Sequence, residues 1–236
     1  MNLIPKVFPD KPSSYIEMEQ VRSSKTWTAP EDGWFQFIGL AASGKGGTDA
    51  YGQYGTQHFG GGGGGGAGGI TVSIFALSQG DEITLSVGSG VSITNKKTGE
   101  TALAVSGSSG SDGRGSSTNS HNYYGGSGGA GGSASGGNVT NKKGPKGGDG
   151  GSTSDTSVTP ASSLRGRGGR NAYEKYYTQG GSGGNYPGSS AYIVVLRGNT
   201  NLTQAQLNAM DITTLMLDNS RLEQEVTGIM LSQSAQ

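Results

Sequence analysis

Apolar residues fall in a few short alternating runs, the clearest of which is ITVSIFALSQGDEITLSVG, residues 70–88. Ile70, Val72, Ile74 and Ala76 share one face of a period-two strand, with Thr71, Ser73, Phe75 and Leu77 on the other. QGDE is a turn, after which Ile83, Leu85 and Val87 alternate with Thr84 and Ser86. VSIT at 91–94, the polar turn NKKTGE and TALAV at 101–105 predict a second hairpin. Upstream, residues 30–33 form a turn before WFQFIGL, where Trp34, Gln36, Ile38 and Leu40 oppose Phe35 and Phe37. Both faces are largely apolar, which predicts a strand covered on both sides. YIEMEQV at 15–21 predicts an edge strand after an arm carrying Pro5, Pro9 and Pro12, and AYIVVLRG at 191–198 predicts the closing strand. These elements make a sandwich or jelly-roll-like unit over residues 27–198, preceded by an extended arm and edge strand in 1–26.

Alternation stops between residues 106 and 190, where GGSGGAGGSASGG, GPKGGDGGS, RGRGGR and GGSGG recur, and seven glycines also run from Gly60 to Gly66. Glycine is 47 of 236 residues and apolar types are 31%, a composition that by itself points to disorder. Lys plus Arg and Asp plus Glu are balanced at 17 each, so the chain lacks the charge that keeps disordered proteins solvated. The stretch is therefore either a disordered insertion or a structure made by the glycines. A polyproline-II helix has three residues per turn and about 3.1 Å of rise, and its backbone groups point outward. Bare glycine helices can approach closely enough to satisfy one another's N–H and C=O groups. The expected fold is thus mainly β, a glycine-rich jelly-roll-like domain with packed polyproline-II or polyglycine-II segments, plus a short C-terminal helical segment.

That last segment, residues 199–236, is glycine-poor. Thr203 with Gln206 makes a capping box, and Leu202 with Leu207 makes a hydrophobic staple. Leu215, Leu222 and Ile229 recur at seven, with Ile212 and Val226 beside them. The pattern fits either helices docked on the domain or a short self-associating bundle.

Candidate chemistry is sparse. Cysteine is absent, which removes disulfides and thiolate metal sites. No secretory pattern opens the chain and no apolar run approaches the ~20 residues of a membrane span, so synthesis in a reducing cytoplasm without membrane insertion is expected. Zero net charge gives no electrostatic case for nucleic acid. SGKGGT at 43–48 lacks the second Gly-Lys-Ser/Thr of a phosphate loop. RGRGGR at 165–170, near Tyr173, Tyr176 and Tyr177, is similar to RNA-binding RGG segments but occurs once. His58 and His121 have no ligand-spaced partners, and Asp81, Asp112, Asp149 and Asp155 read as turn residues. No enzyme, cofactor or metal is expected. Tyrosine offers a large, stiff, amphipathic contact at low entropy cost. The candidate receptor-binding residues are accordingly Tyr51, Tyr54, His58, His121, Tyr123, Tyr124, Tyr173, Tyr176, Tyr177 and Tyr186, in loops within 48–58, 108–124, 138–160 and 170–188. Their alternative role is packing across the glycine segments or between subunits.

The order WTAP, GWFQFIGLAASGKGG, glycine run, ITVSIFALSQGDEITLSVGSG, further glycine runs and a closing AYIVVL strand resembles the glycine-rich domain of phage tail-fibre proteins and of anaplastic-lymphoma-kinase-type receptors. Gly80, Asp81, Val87 and Gly88 match that family's strand-turn-strand segment, and Ala41, Ala42, Ser43 and Gly44 match its Gly-Ala-Gly-Gly more loosely. The resemblance covers residues 27–198. A secreted receptor would carry a signal peptide and cysteines, so the resemblance implies a phage tail-fibre or tail-tip protein, assembled in the host bacterial cytoplasm into the virion. It implies a homotrimer contacting other tail or baseplate proteins and a bacterial surface glycan or outer protein. A purely structural baseplate, collar or fibre connector is the alternative, and an RGG-type nucleic-acid binder the third.

Overall fold

The computed structural model describes residues 11–51, 59–115, 123–153 and 161–199. Period-two alternation produces two five-stranded antiparallel sheets. The first runs β1 (Tyr15–Val21), β16 (Tyr192–Gly198), β3 (Gly33–Leu40), β6 (Ile70–Leu77), β13 (Thr140–Lys142). The second runs β12 (Ala134–Ser135), β9 (Thr101–Ala104), β8 (Val91–Asn95), β7 (Glu82–Val87), β2 (Lys25–Thr28). β1 is an edge strand, as its alternating exposure predicts. Strands β12 and β13 come from the glycine-rich stretch and pair with β9 and β6, so residues 106–190 are woven into both sheets.

The facing sides of the sheets enclose one apolar cluster, with Phe35, Phe37, Ile193 and Val195 from the first sheet against Ile83, Leu85 and Ile93 from the second. Trp27 packs edge-on against Phe35 and Phe37 at centroid distances of 5.1 and 5.3 Å. Each such fully buried side chain contributes about 1.5–3 kcal/mol. The other side of the first sheet carries Ile38, Leu40, Ile70, Val72, Val194 and Leu196, covered by the hairpin of β14 (Arg170–Tyr173) and β15 (Tyr176–Gln179). β3 therefore has a core on each face, which is why WFQFIGL is apolar throughout.

At one end of this sandwich the strands continue as extended glycine-rich segments. β3 leads into residues 41–48, β9 into 105–113, β13 into 144–151 and β15 into 180–184; residues 60–69 lead back into β6, 125–133 into β12 and 164–169 into β14. Residues 61–69 lie at the centre, and all nine of their N–H groups and all nine carbonyls are hydrogen-bonded. Gly63, Gly66 and Gly69 donate to Ser111, Ser108 and Val105, whereas Gly61, Gly64 and Ala67 donate to Gly151, Gly148 and Pro145. The carbonyls of Gly63, Gly66 and Gly69 accept from Gly47, Gly44 and Ala41, and those of Gly61, Gly64 and Ala67 from Gly126, Gly129 and Gly132. Partners thus change with a period of three residues, the repeat of polyproline-II geometry.

The six surrounding segments also bond to one another in a closed ring. Gly110 donates to Lys45, Ser108 to Ala130, Gly147 to Gly129, Gly148 to Arg167, Gly183 to Gly166 and Gly181 to Gly44. Residues 186–189 lie outside this ring, where Tyr186 and Ser189 carbonyls accept from Gly46 and Ser43.

Close approach, not backbone conformation, is what requires glycine here. An added Cβ at Gly62, Gly65 or Gly68 would lie 2.0–2.1 Å from the carbonyl oxygens of Gly47, Gly44 and Ala41. The exception is Ala67, which is fully buried. It follows Gly61 and Gly64 on the side of Leu164 and Arg167, and its counterpart would be residue 170, where that neighbour turns away into β14. Outer positions carry Ser and Asp instead. Ser108 and Ser111 hydroxyls accept from Ala130 and Ser127 N–H, and Asp149 accepts from Gly128 N–H.

The chain divides into two units, residues 1–198 and 199–236. The predicted helical segment, with Ile212, Leu215, Leu222, Val226 and Ile229, lies outside the described residues.

Candidate functional site

The glycine bundle ends, on the side away from the sandwich, in four chain reversals. The first lies between β4 (Ala50–Tyr51) and β5 (Phe59–Gly60), the second between β10 (Arg114–Gly115) and β11 (Tyr123–Tyr124). The third runs from Thr153 to α1 (Ala161–Leu164), and the fourth is a tight turn at Gly184 and Asn185, both left-handed at φ 87° and 66°. Tyr123 and Thr153 exchange backbone hydrogen bonds of 2.9 and 3.0 Å, joining the second reversal to the third. β10 and β11 touch β5, and β10 also touches β4, so these short pieces form one platform.

A partly buried ion pair holds part of that platform. The Asp49 side chain is 1% exposed; its Oδ1 accepts from Gly62 N–H at 3.0 Å, and its Oδ2 accepts from Arg165 Nε at 2.8 Å. The Arg165 guanidinium lies 5.6 Å from the Tyr186 ring centroid, against the Gly184 turn. On the neighbouring side, Asp112 accepts from Thr48 N–H at 2.7 Å, and this bond holds its carboxyl below the usual aspartate value.

The tyrosines expected to act together separate into two groups. At the distal end, Tyr124 is 57% exposed on β11, Tyr123 beside it is half-buried, Tyr186 is 54% exposed just after the fourth reversal, and Tyr51 belongs to β4. Tyr54, His58 and His121 lie outside the described residues. Tyr173, Tyr176 and Tyr177 are at the sandwich, on the β14–β15 hairpin, and not in a distal loop. Tyr176 is 4% exposed and its hydroxyl donates to the Glu17 carboxylate, so it packs the hairpin onto the sheet. Burial first, and then Glu17, pushes the Tyr176 hydroxyl pKa far upward; in return that hydrogen bond holds Glu17 low. Tyr173 accepts from Gln36 Nε2 at 3.3 Å, and Tyr177 lies 4.7 Å under Arg170. The tyrosine pattern had no means of separating these groups, because the hairpin lies between two glycine segments in sequence.

The two glycine motifs are absorbed by the scaffold. The backbone N–H groups of SGKGGT are each engaged, Gly44 with Gly66, Gly46 with Tyr186 and Gly47 with Gly63, while Ser43, Lys45 and Thr48 donate to Ser189, Ser109 and Asp112. None points into an open cradle. In RGRGGR, Gly166 and Gly169 donate to Gly62 and Gly65, and Arg165 is paired with Asp49. Among the described residues no three His, Cys, Asp or Glu side chains are grouped to hold a metal ion, and no helix is long and apolar enough to cross a membrane.

Neither a protein-family model nor a curated protein matches this chain. What the distal end offers is an array of chain reversals with exposed aromatic side chains on a hydrogen-bonded support. Asp49 and Arg165, its best-fixed charged pair, escaped the sequence reading: Arg165 looked like part of an RGG segment, and Asp49 lies 116 residues away from it.

Proposed function

We propose that this protein is a bacteriophage tail-fibre or tail-tip component that attaches the virion to a bacterial surface glycan or outer protein. In this reading a jelly-roll-like sandwich and a polyglycine-II bundle carry the contact loops, and a homotrimer gathers several weak patches so that avidity replaces single-site affinity. It acts by binding and not by catalysis, and it needs no cofactor. The supporting observation is that every N–H and carbonyl of residues 61–69 has a hydrogen-bond partner in the scaffold. The N–H and C=O groups of the central segment are thus satisfied within the scaffold, and 52–58, 116–122 and 154–160 are the proposed contact loops. Tyr124 and Tyr186, exposed at the same end, supply adjoining contact area.

The connector alternative rests on the same scaffold and differs in its partner. The RNA-binding alternative is weakened by the engagement of the RGRGGR glycines and of Arg165 within the bundle. Replacing 52–58, 116–122 and 154–160 together by Gly-Ser linkers of equal length should leave the unfolding transition in place and abolish adsorption to a panel of bacterial strains. Undiminished adsorption by the linker protein would remove these loops from the contact, and no adsorption by the parent protein would favour the connector.

A further inference from the structure

Resting on that reading, we propose that Asp49 is the positioning residue of the distal end, fixing three of its four chain reversals relative to the central glycine segment. Asp49 lies where the first reversal leaves the bundle, and Gly62, which donates to its Oδ1, lies just inside the point where that reversal returns through β5. One carboxylate therefore closes both ends of the first reversal. Its other oxygen takes Arg165, the residue directly after α1, where the third reversal re-enters the bundle. The guanidinium then reaches the fourth: a Cβ at Gly184 would lie 2.5 Å from Arg165 Nε, and the Tyr186 ring is 5.6 Å from the guanidinium carbon.

A side chain is needed at this place for a stated reason. Gly65 donates to Gly181, and three residues earlier Gly62 would donate to residue 184; the chain turns there with φ 87°, so that acceptor is lost. The Asp49 carboxylate replaces it. An uncharged acceptor would satisfy the Gly62 N–H equally, as the Ser43 hydroxyl does for Gly68 at the other end. The charge is required by Arg165, and through Arg165 by the third and fourth reversals. The second reversal has anchors of its own. It is tied in through Gly113 N–H to the Thr48 carbonyl and through the β10–β11 pairing.

The experiment uses full-length Asp49→Asn and Arg165→Lys proteins, with amide hydrogen exchange and adsorption to bacteria read separately. Asp49→Asn keeps an oxygen for Gly62 and removes the charge that holds Arg165. Exchange should accelerate at least tenfold in residues 49–51, 161–165 and 184–186 while staying within about twofold in 63–69 and 107–111. Arg165→Lys keeps the charge and loses the planar fork, and should give an intermediate acceleration in the same three segments. Adsorption should fall at least tenfold for Asp49→Asn and less for Arg165→Lys. Unchanged exchange, or acceleration spread equally over 63–69 and 107–111, would overturn the positioning role. Should Asp49→Asn not fold, Arg165→Lys alone decides by the same segment pattern. Absent adsorption by the parent protein would count against host contact, whereas the exchange pattern tests the positioning role independently.

Discussion

Substituting Gly64 by alanine tests directly whether a lattice of backbones replaces part of the core. The new Cβ would stand 2.1 Å from the carbonyl oxygen of Arg167, whereas ordinary contact begins near 3.4 Å. Residues 164–169 would have to retreat by about 1.3 Å, the difference between those distances. That displacement stretches the bonds from Gly166 to Gly62 and from Gly169 to Gly65, both 2.9 Å at present. Each buried backbone group left without a partner costs about 1–3 kcal/mol. Reduced freedom of the unfolded chain returns about 0.4–1 kcal/mol, as for any glycine-to-alanine change. The net expectation is a loss of about 2–4 kcal/mol, measured as a shift in urea midpoint at constant slope. Ala67→Gly is the matched control. It creates no clash but removes a buried methyl, worth about 0.8 kcal/mol, and adds unfolded-state freedom, for a total near 1–2 kcal/mol. A Gly64→Ala protein as stable as the parent, or more so, would refute the lattice argument, because that is the behaviour of glycine in an unpacked loop.

Acid should weaken the domain through three carboxylates held low by hydrogen bonds: Glu17 by Tyr176, Asp112 by Thr48 N–H and Asp149 by Gly128 N–H. Their folded values lie below the ordinary 4.5 and 3.8, so stability is full above about pH 4.5 and falls as pH drops through the folded values. Urea titrations at pH 7, 4 and 3 should show it, with a shallower fall for Glu17→Gln. The raised hydroxyl of Tyr176 acts oppositely: its contribution is complete below pH 10 and declines as pH rises further, a decline that Tyr176→Phe should remove from an alkaline series. Glu174 turns the β14–β15 hairpin with φ 51°, a left-handed conformation that costs non-glycine residues about 1–2 kcal/mol. Glu174→Asn should raise stability by about 0.5–1 kcal/mol in thermal unfolding, and destabilisation would show that the Glu174 side chain has a role beyond the turn.

The strands were legible because period-two alternation is a local property. β3, β6, β7, β8, β9 and β16 fall on the alternating runs, and the two-sided covering of β3 follows from its Phe35 and Phe37 opposite Ile38 and Leu40. Strands β12 and β13 carried no such run. Ala134, Ser135 and residues 140–142 become strands because β9 and β6 offer them open edges. The tyrosine reading divided in the same way: Tyr123 and Tyr124 stand at the distal end, whereas Tyr176 is buried beneath its hairpin by a hydroxyl contact with Glu17, 159 residues distant.

By its composition the chain left two outcomes for the glycine stretch, disorder or close backbone contact, and by its alternation it determined the strands. Which glycine segment lies beside which was decided in three dimensions. A segment of glycine and serine presents the same N–H and C=O groups to every neighbour, so it carries almost no pairing code of its own. Its place is set by the strand it continues, since the two sheets fix where each segment leaves the sandwich and in which direction. The Asp49–Arg165 link depends on that placement as well, because only the assembled bundle brings the two charges together, with the Asp49 carboxylate out of water.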